Sequence, residues 1–442
     1  MIRIWRGLFI VWLVVLAMLI TGGTPTASAA DLRRIVVFKD GTPLGVQQQA
    51  AASKGSKVYH NLSLANAMAI ELPAQDTDAA LASLQAHPAV QRVDDDPVVT
   101  IQGAGSDGAG SDGAGSDRVV YVIPALSAPV IEFYPWGVDW IGAADVQGEN
   151  PGLAGGGVKV ALIGTGVDPT HPDLKDNIVG GYNAIAGQEP NNWADDNGHD
   201  THVAGILAAR RNNQGVIGVA PRVLIYVFKA LDKNGKGHTS DVVNALQHLP
   251  PDIRLIHGSF GTDIEWSFFQ PVIDSLYQAG KLMVFSAGNR CSSTTAQGAG
   301  SDGAGSDAGC VSNPPDVKFP ARYHGVIAVG ASDMNDQVPD WSRSGSAMAD
   351  HGVVAPGVNI FSDNWTTGGS GYGWMSGTSP AAPHVTGAVA LALQVQRDLS
   401  YEDVLALLKL TSKKIPGAPP EQQGVGRINV EALVNLLKSK SK

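Results

Sequence analysis

Val160-Ala161-Leu162-Ile163-Gly164-Thr165-Gly166-Val167-Asp168-Pro169-Thr170-His171-Pro172-Asp173-Leu174 is the stretch on which the reading of the fold turns. The apolar run from Val158 to Ile163 is nearly continuous, as expected of a strand buried on both faces of a parallel sheet, and a glycine-containing loop ends it. Leu224 to Phe228 and Leu282 to Phe285 repeat the signal. Helical candidates lie around them at Thr201 to Ala209, Ser240 to Leu249 and Ser379 to Val395. This alternation runs from Pro135 to about Leu437 and predicts an α/β layered fold.

Upstream, residues 32 to 101 have an organisation of their own. Arg34 to Phe38, Ala67 to Leu72 and Val90 to Val93 read as strands. Thr77 to Ala86 has helical spacing, with Leu81 and Leu84 on one side and Thr77 as its cap. That order predicts a small α+β unit of the split βαβ kind. The repeated pentapeptide GAGSD follows from Gly103 to Asp117 and returns at Gly298 to Asp307. Their Gly, Ala and Ser residues give such runs no core to bury, and they are expected to be linkers. A calcium reading of their aspartates lacks the spacing of known repeat loops.

The N-terminus speaks to compartment. Arg3 and Arg6 precede an apolar run from Leu8 to Ile20, and Ala27-Ser28-Ala29 offers the small residues of a cleavage site. Residues 1 to 29 are therefore expected to be a secretory signal peptide, the alternative being a retained anchor. With the signal removed, no stable membrane anchor is expected, and the protein is expected to be secreted. Cys291 and Cys310 are the whole cysteine inventory. In an oxidising compartment the pair is expected to close a disulfide, whereas a zinc site needs more ligands. The net charge of −10 gives no basic footprint and sets nucleic acid aside as a partner. Apolar residues make up 44% of the 442, which suffices for a sizeable core.

Three stretches carry chemistry. Val160 to Leu174 is the first. Asp195 to Gly205 (DDNGHDTHVAG) puts His199 at the start of a helix, and Met375 to Gly387 (MSGTSPAAPHVTG) puts Ser379 at the start of another. A serine there sits beside backbone N–H groups and the positive end of the helix dipole, where an oxyanion is stabilised. VFSAGN ends a buried strand with Asn289, whose amide can donate to the same oxyanion. Singly, each has a plainer explanation: Ser379 as a helix cap, His199 as a packed polar residue, Asn289 as a turn former. The ordered set outweighs them.

These stretches resemble the signature motifs of the subtilisin-like serine peptidases, the subtilases. The serine box is matched by Gly377-Thr378-Ser379 with Ala382-Pro383-His384, and the histidine box by Asn197-Gly198-His199 with Thr201-His202-Val203-Ala204-Gly205. Gly218-Val219-Ala220-Pro221, Val354-Ala355-Pro356-Gly357 and Gly424-Val425-Gly426-Arg427-Ile428-Asn429 extend the match over residues 135 to 437. IVVFKDG, NAMAIELP and VDDDPVV resemble the family's propeptide. The resemblance implies a three-layer, mostly parallel sheet flanked by helices at 135–442, a propeptide at 32–101 and a linker at 102–134. It implies Ser379 as nucleophile, His199 as general base, and Asn289 with the Ser379 N–H as the oxyanion hole. Ser259, Phe260 and Gly261 match the edge that pairs with substrate backbone. Peptide or protein substrates and the chain's own propeptide are the implied partners. No cofactor is implied for catalysis; structural calcium is implied at Asp173 and Asn212, although Asp173 also reads as a helix cap and Arg210-Arg211 brings positive charge near.

The chain departs from the family at one catalytic position. The frame V-A-x-x-Asp-x-Gly places the triad aspartate where this chain has Gly164, and the glycine that normally follows the histidine is Asp200. In a subtilisin, loss of that aspartate costs about 3 × 10⁴ in turnover, or about 6 kcal/mol. Adjacent helical residues project about 100° apart, so Asp200 is not expected to face His199 and reads as a favourable charge at a helix N-terminus; the alternative is that it supplies the lost carboxylate through a water in the space left by Gly164. The expectation is therefore an impaired endopeptidase. The alternative is a secreted pseudoprotease that binds peptides or proteins without cutting them, and a weaker idea gives the leading role to the GAGSD segments.

Overall fold

The computed structural model describes residues 32–101, 123–124, 132–290, 316–366 and 369–440. The expected signal peptide, the GAGSD segments, Cys291, Cys310 and the loop between them lie outside the described residues. The described residues divide into two compact units: residues 32–58 with Met68–Asp95, and Tyr59–Ala67 with those from Asp96 onward.

The first of these units carries β1 (Arg33–Phe38), α1 (Leu44–Ala51), nearly all of β3 (Ala67–Glu71), α2 (Thr77–Gln85) and β4 (Val90–Asp95), and β2 (Lys57–Leu62) runs from it into the second. These strands take the order β2-β3-β1-β4, with β1 antiparallel to β4. Val36, Phe38, Met68, Ile70 and Leu84 fill one apolar cluster, so the alternating strands and the one-sided helix bury their faces together. Thr77 does not cap α2. Asp76 holds the N-cap position, and the Thr77 hydroxyl donates to the Pro73 carbonyl at 2.8 Å.

The second unit opens with β5 (Val98–Ile101) and β6 (Ile123–Pro124), then α3 (Trp136–Trp140), α4 (Ala143–Glu149), β7 (Lys159–Gly164), β8 (Ile178–Asn183) and α5 (His199–Ala208). Next come β9 (Leu224–Lys229), β10 (Lys236–His238), α6 (Thr239–Gln247), β11 (Leu255–Gly258), β12 (Phe260–Gly261), α7 (Gln270–Gln278) and β13 (Leu282–Ser286). The chain continues through β14 (Val326–Ser332), α8 (Ser346–His351), β15 (Gly352–Pro356), β16 (Ile360–Thr366) and β17 (Gly369–Met375). It ends with α9 (Thr378–Val395), α10 (Tyr401–Thr411), α11 (Pro420–Gln423) and α12 (Val430–Lys440).

Seven strands form one sheet in the order β15-β14-β13-β11-β7-β9-β8, and every neighbouring pair is parallel. Val160 to Ile163 of β7 are fully buried, as their continuous apolar run requires of a strand covered on both faces. Helices α5 and α9 pack against each other, and α9 lies over the sheet through Ala388, Val389 and Leu393. In such sheets, chemistry collects at the carboxyl ends of the strands, where loops meet helix N-termini. Three neighbours deliver residues there: β7 ends at Gly164, β11 runs into Ser259, and β13 leads to Asn289.

Candidate functional site

His199 is positioned by its own loop. Asp195 accepts from the N–H groups of Asn197 and Gly198 through Oδ1, and from the N–H and hydroxyl of Thr201 through Oδ2. Gly198 then turns the chain with φ 98°, a left-handed conformation that a side chain disfavours. His199 thus becomes the first residue of α5, and it is 2% exposed.

Asp200 is the largest correction to the sequence reading. Its Oδ1 lies 2.6 Å from His199 Nδ1, so the two adjacent side chains do face each other. The 100° divergence of helical neighbours is overcome for two reasons. His199 is the first helical residue, just past the glycine turn. The glycine at the end of β7 also leaves space for the carboxylate, where a backbone donor meets it: Thr165 N–H bonds Asp200 Oδ2 at 3.0 Å. The Thr165 hydroxyl accepts the Asp200 N–H at 3.2 Å, and the Thr165 carbonyl accepts from Lys229 at 2.6 Å. Burial pushes the Asp200 carboxyl above the usual carboxylate range, while its bonds to His199 and Thr165 pull the other way.

With Nδ1 donating to Asp200, the imidazole presents Nε2 as its basic nitrogen. That atom is buried and has no hydrogen-bond partner among the described residues. Ser379 is the second residue of α9, just past Gly377 and Thr378, and is fully buried. Its hydroxyl donates to the Ser259 carbonyl at 3.2 Å, and the Ser259 hydroxyl donates to the Ser379 carbonyl at 3.1 Å. His257 Nε2 is bonded to that Ser259 hydroxyl at 2.9 Å, which braces the end of β11. The Asn289 side-chain oxygen accepts from both the N–H and the hydroxyl of Thr378 at 3.0 Å. This fixes the amide so that its nitrogen is the donor side beside the start of α9.

Phe260 and Gly261, expected to pair with a peptide, do so here with a segment of the chain itself. β5 runs antiparallel to β12, with Ile101 opposite Phe260 and Thr100 opposite Gly261. Its other edge pairs antiparallel with β10, from Val98 opposite His238 to Thr100 opposite Lys236. Just before β5, Asp96 accepts from the Thr239 hydroxyl and from the N–H and hydroxyl of Ser240 at the start of α6.

Asp173 and Asn212 are also brought together. Asn212 donates its amide to Asp173 Oδ1 at 2.9 Å, while Oδ2 accepts from Val216 N–H and the Tyr372 hydroxyl. Glu132, which the sequence reading did not single out, accepts from the N–H groups of Asn212 and Asn213. Asp173 is not a helix cap, because no helix begins beside it. On its other side, Asp173, His171 and Asp363 are fully buried, with ligand atoms within 4.8 Å of one another. Burial and the neighbouring Asp173 hold the Asp363 carboxyl well above its ordinary range.

Four buried histidines are pushed down by desolvation: His171, His202 and His257, the latter two to about 3, and His384 to about 4. Between the ordinary histidine value near 6.5 and these depressed values, the unfolded chain binds more protons than the folded one. Stability present above pH 6.5 is therefore lost as the pH falls toward 4. The raised carboxyls of Asp200 and Asp363 act in the opposite sense. Scanning the thermal midpoint from pH 7 to 4.5 is expected to show a fall, and His257→Asn is expected to flatten it. A slope that His257→Asn leaves unchanged would remove His257 from this account.

A hydroxyl at a helix start, a carboxylate-oriented imidazole and an oriented amide define a serine-peptidase type of site on a parallel α/β sheet. Residues 155–426 match the subtilase family, peptidase family S8, and the chain belongs to it. It is 32% identical over 377 residues to an alkaline protease of Alkalihalobacillus alcalophilus, covering 85% of this chain and 81% of the relative. Subtilisin Savinase of Lederbergia lenta is 36% identical over 299 residues, covering 67% of this chain and 97% of the relative. Subtilisin E of Bacillus subtilis (strain 168) is 30% identical over 409 residues, covering 92% and 91%. The protein is a subtilisin-like serine peptidase, and no helix among the described residues is long and apolar enough to cross a membrane.

Proposed function

We propose that this chain is a secreted endopeptidase that hydrolyses peptide bonds through an acyl-serine intermediate at Ser379. The observation that carries the reading is the pairing of β5 on both edges by β10 and β12, which is how a cleft holds an extended peptide. Ile101 lies opposite Phe260, and the preceding Ser259 touches Ser379, so a peptide bond just beyond this register falls beside the hydroxyl.

In the reaction, the Ser379 hydroxyl leaves the Ser259 carbonyl and gives its proton to His199 Nε2 as Oγ bonds the scissile carbonyl carbon. The Asn289 amide and the Ser379 N–H donate to the developing oxyanion. The C–N bond then breaks as His199 returns the proton to the leaving amine, and water repeats the cycle on the acyl-enzyme. Residues 32–101 act as the propeptide, with β5 as the inhibitory tail. A fluorophosphonate probe tests the nucleophile: covalent labelling at Ser379, together with cleavage of an unfolded protein, is expected once the tail is gone. A folded chain that binds peptides but neither labels nor cuts would instead fit the pseudoprotease reading, which rests on Gly164.

Calcium belongs to the same proposal as a structural ion. Asp173, Glu132 and Asn212 supply hard oxygen atoms around the 210–216 loop, which suits that ion once Asn212 turns its amide oxygen inward. A ligand that binds only the folded state stabilises it by about 2.7 kcal/mol at a hundredfold excess over Kd. Calcium is expected to raise the thermal midpoint and a chelator to lower it, with Asp173→Asn insensitive to both. Equal midpoints with calcium and with chelator would exclude the ion.

A further inference from the structure

We infer that the triad carboxylate of this enzyme has moved from the strand to the helix: Asp200 is the positioning residue for His199, and Gly164 is glycine so that Asp200 can be accommodated. The inference rests on the serine-peptidase reading of the site. It goes beyond that reading by naming which carboxylate orients the base.

Four observations converge. A Cβ built on Gly164 would lie 1.9 Å from Asp200 Oδ2, 2.6 Å from its Cγ and 2.7 Å from Oδ1. The carboxylate therefore occupies the volume that a side chain at the end of β7 would fill, and the two positions cannot both carry one. The same carboxylate meets His199 Nδ1 at 2.6 Å, the distance of a strong charge-assisted bond, with both residues 2% exposed or less. Its second oxygen is held by Thr165 N–H, donated by the residue next to Gly164 in the strand-to-loop turn. At the other end of the ring, Nε2 is buried with no hydrogen-bond partner among the described residues, which leaves it available to accept a proton.

The required electrostatics are met without a strand-borne acid. During attack the imidazole becomes a cation, and a carboxylate bonded to Nδ1–H stabilises that charge and holds the tautomer without taking the proton. Asp200 is well buried, so the attraction is little screened by solvent. Helix packing would not favour contact between neighbours in the middle of α5. At its first turn, after Gly198, the contact needs only the space that Gly164 leaves. Glycine at 164 and aspartate at 200 are thus two halves of one exchange, so changing either alone is expected to harm the enzyme.

The test compares the unaltered chain with Asp200→Asn and with the double exchange Gly164→Asp, Asp200→Gly, on an unfolded protein and a fluorophosphonate probe. Asp200→Asn is expected to lower kcat by about 10⁴ with little change in KM, as expected for a residue that acts on the transition state. It should also remove the low-field proton resonance that the His199–Asp200 hydrogen bond is expected to give in the unaltered protein. The double exchange is expected to recover activity at least a hundredfold over Asp200→Asn. Asp200→Asn with kcat within tenfold of the unaltered chain, or an unaltered chain lacking the resonance, overturns the inference. If Asp200→Asn does not fold, the resonance and the double exchange decide it. An unaltered chain that neither cuts nor labels is a different outcome, because it overturns the peptidase reading itself.

Discussion

Gly164→Asp, introduced alone, is expected to make the protein less stable and less active, although it restores the residue that the family carries at this position. The first atom of the new side chain falls 1.9 Å from Asp200 Oδ2. Two carboxylates would then share one buried site, where overpacking alone costs typically about 1–3 kcal/mol. Two like charges at such spacing cannot both ionise, so one must take a proton or Asp200 must swing away from His199. Either outcome disturbs the bond that orients the base. For a protein of this size, a loss of 1 kcal/mol lowers the thermal midpoint by about 2–4 °C. A fall of several degrees and a loss of at least about tenfold in kcat/KM are the expected results, with the loss bounded by the missing-carboxylate value of about 3 × 10⁴. A thermal scan and initial rates on the same preparation measure both. A large gain in activity at unchanged stability would mean that Asp200 does not serve His199.

Ser379→Ala is expected to have the largest effect on turnover. In a subtilisin, loss of the nucleophile costs about 2 × 10⁶ in kcat, and what remains comes from the oxyanion hole and binding. Because the Ser379 hydroxyl bonds a neutral backbone carbonyl, that of Ser259, and alanine fits the same volume at the start of α9, the substitution should leave the fold intact. It also has a visible consequence for the chain itself. If Asp200 orients the base, the unaltered protein should separate its own propeptide beyond β5, and Ser379→Ala should remain full length after any signal is removed. Intact mass distinguishes the two forms. Processing of Ser379→Ala at the normal rate in a purified sample would remove Ser379 from the reaction.

The family and the parallel α/β sheet were legible, and the candidate site residues could be placed on their elements, because each depends on short stretches of sequence. Helix α5 begins where Gly198 and the Asp195 turn place it, so a loop-to-helix motif suffices to locate His199. Ser379 and Asn289 are similarly set by the start of α9 and the end of β13. The buried run from Val160 to Ile163 announced a two-sided strand, and β7 is central in the sheet. The pairing of Phe260 and Gly261 was also expected, but their partner in this chain, β5, was assigned only to the propeptide segment. Glu132, Thr165 and His257 escaped notice because a polar residue at a loop or strand end has no periodic signature.

Asp200 shows where a local rule fails. Counting 100° per residue correctly separates neighbours inside a helix, but it carries no information about the space beside the first turn. That space belongs to the end of β7, far away in the chain, and only packing brings Gly164 and Thr165 against α5. The sequence by itself located Ser379, His199 and Asn289 at their element ends and showed that no acid follows the β7 run, because order along the chain specifies each of them. Which carboxylate orients His199 was a matter for tertiary structure. A hydrogen bond requires two atoms at about 2.6 Å, and here the absence of a side chain on another element permits that approach.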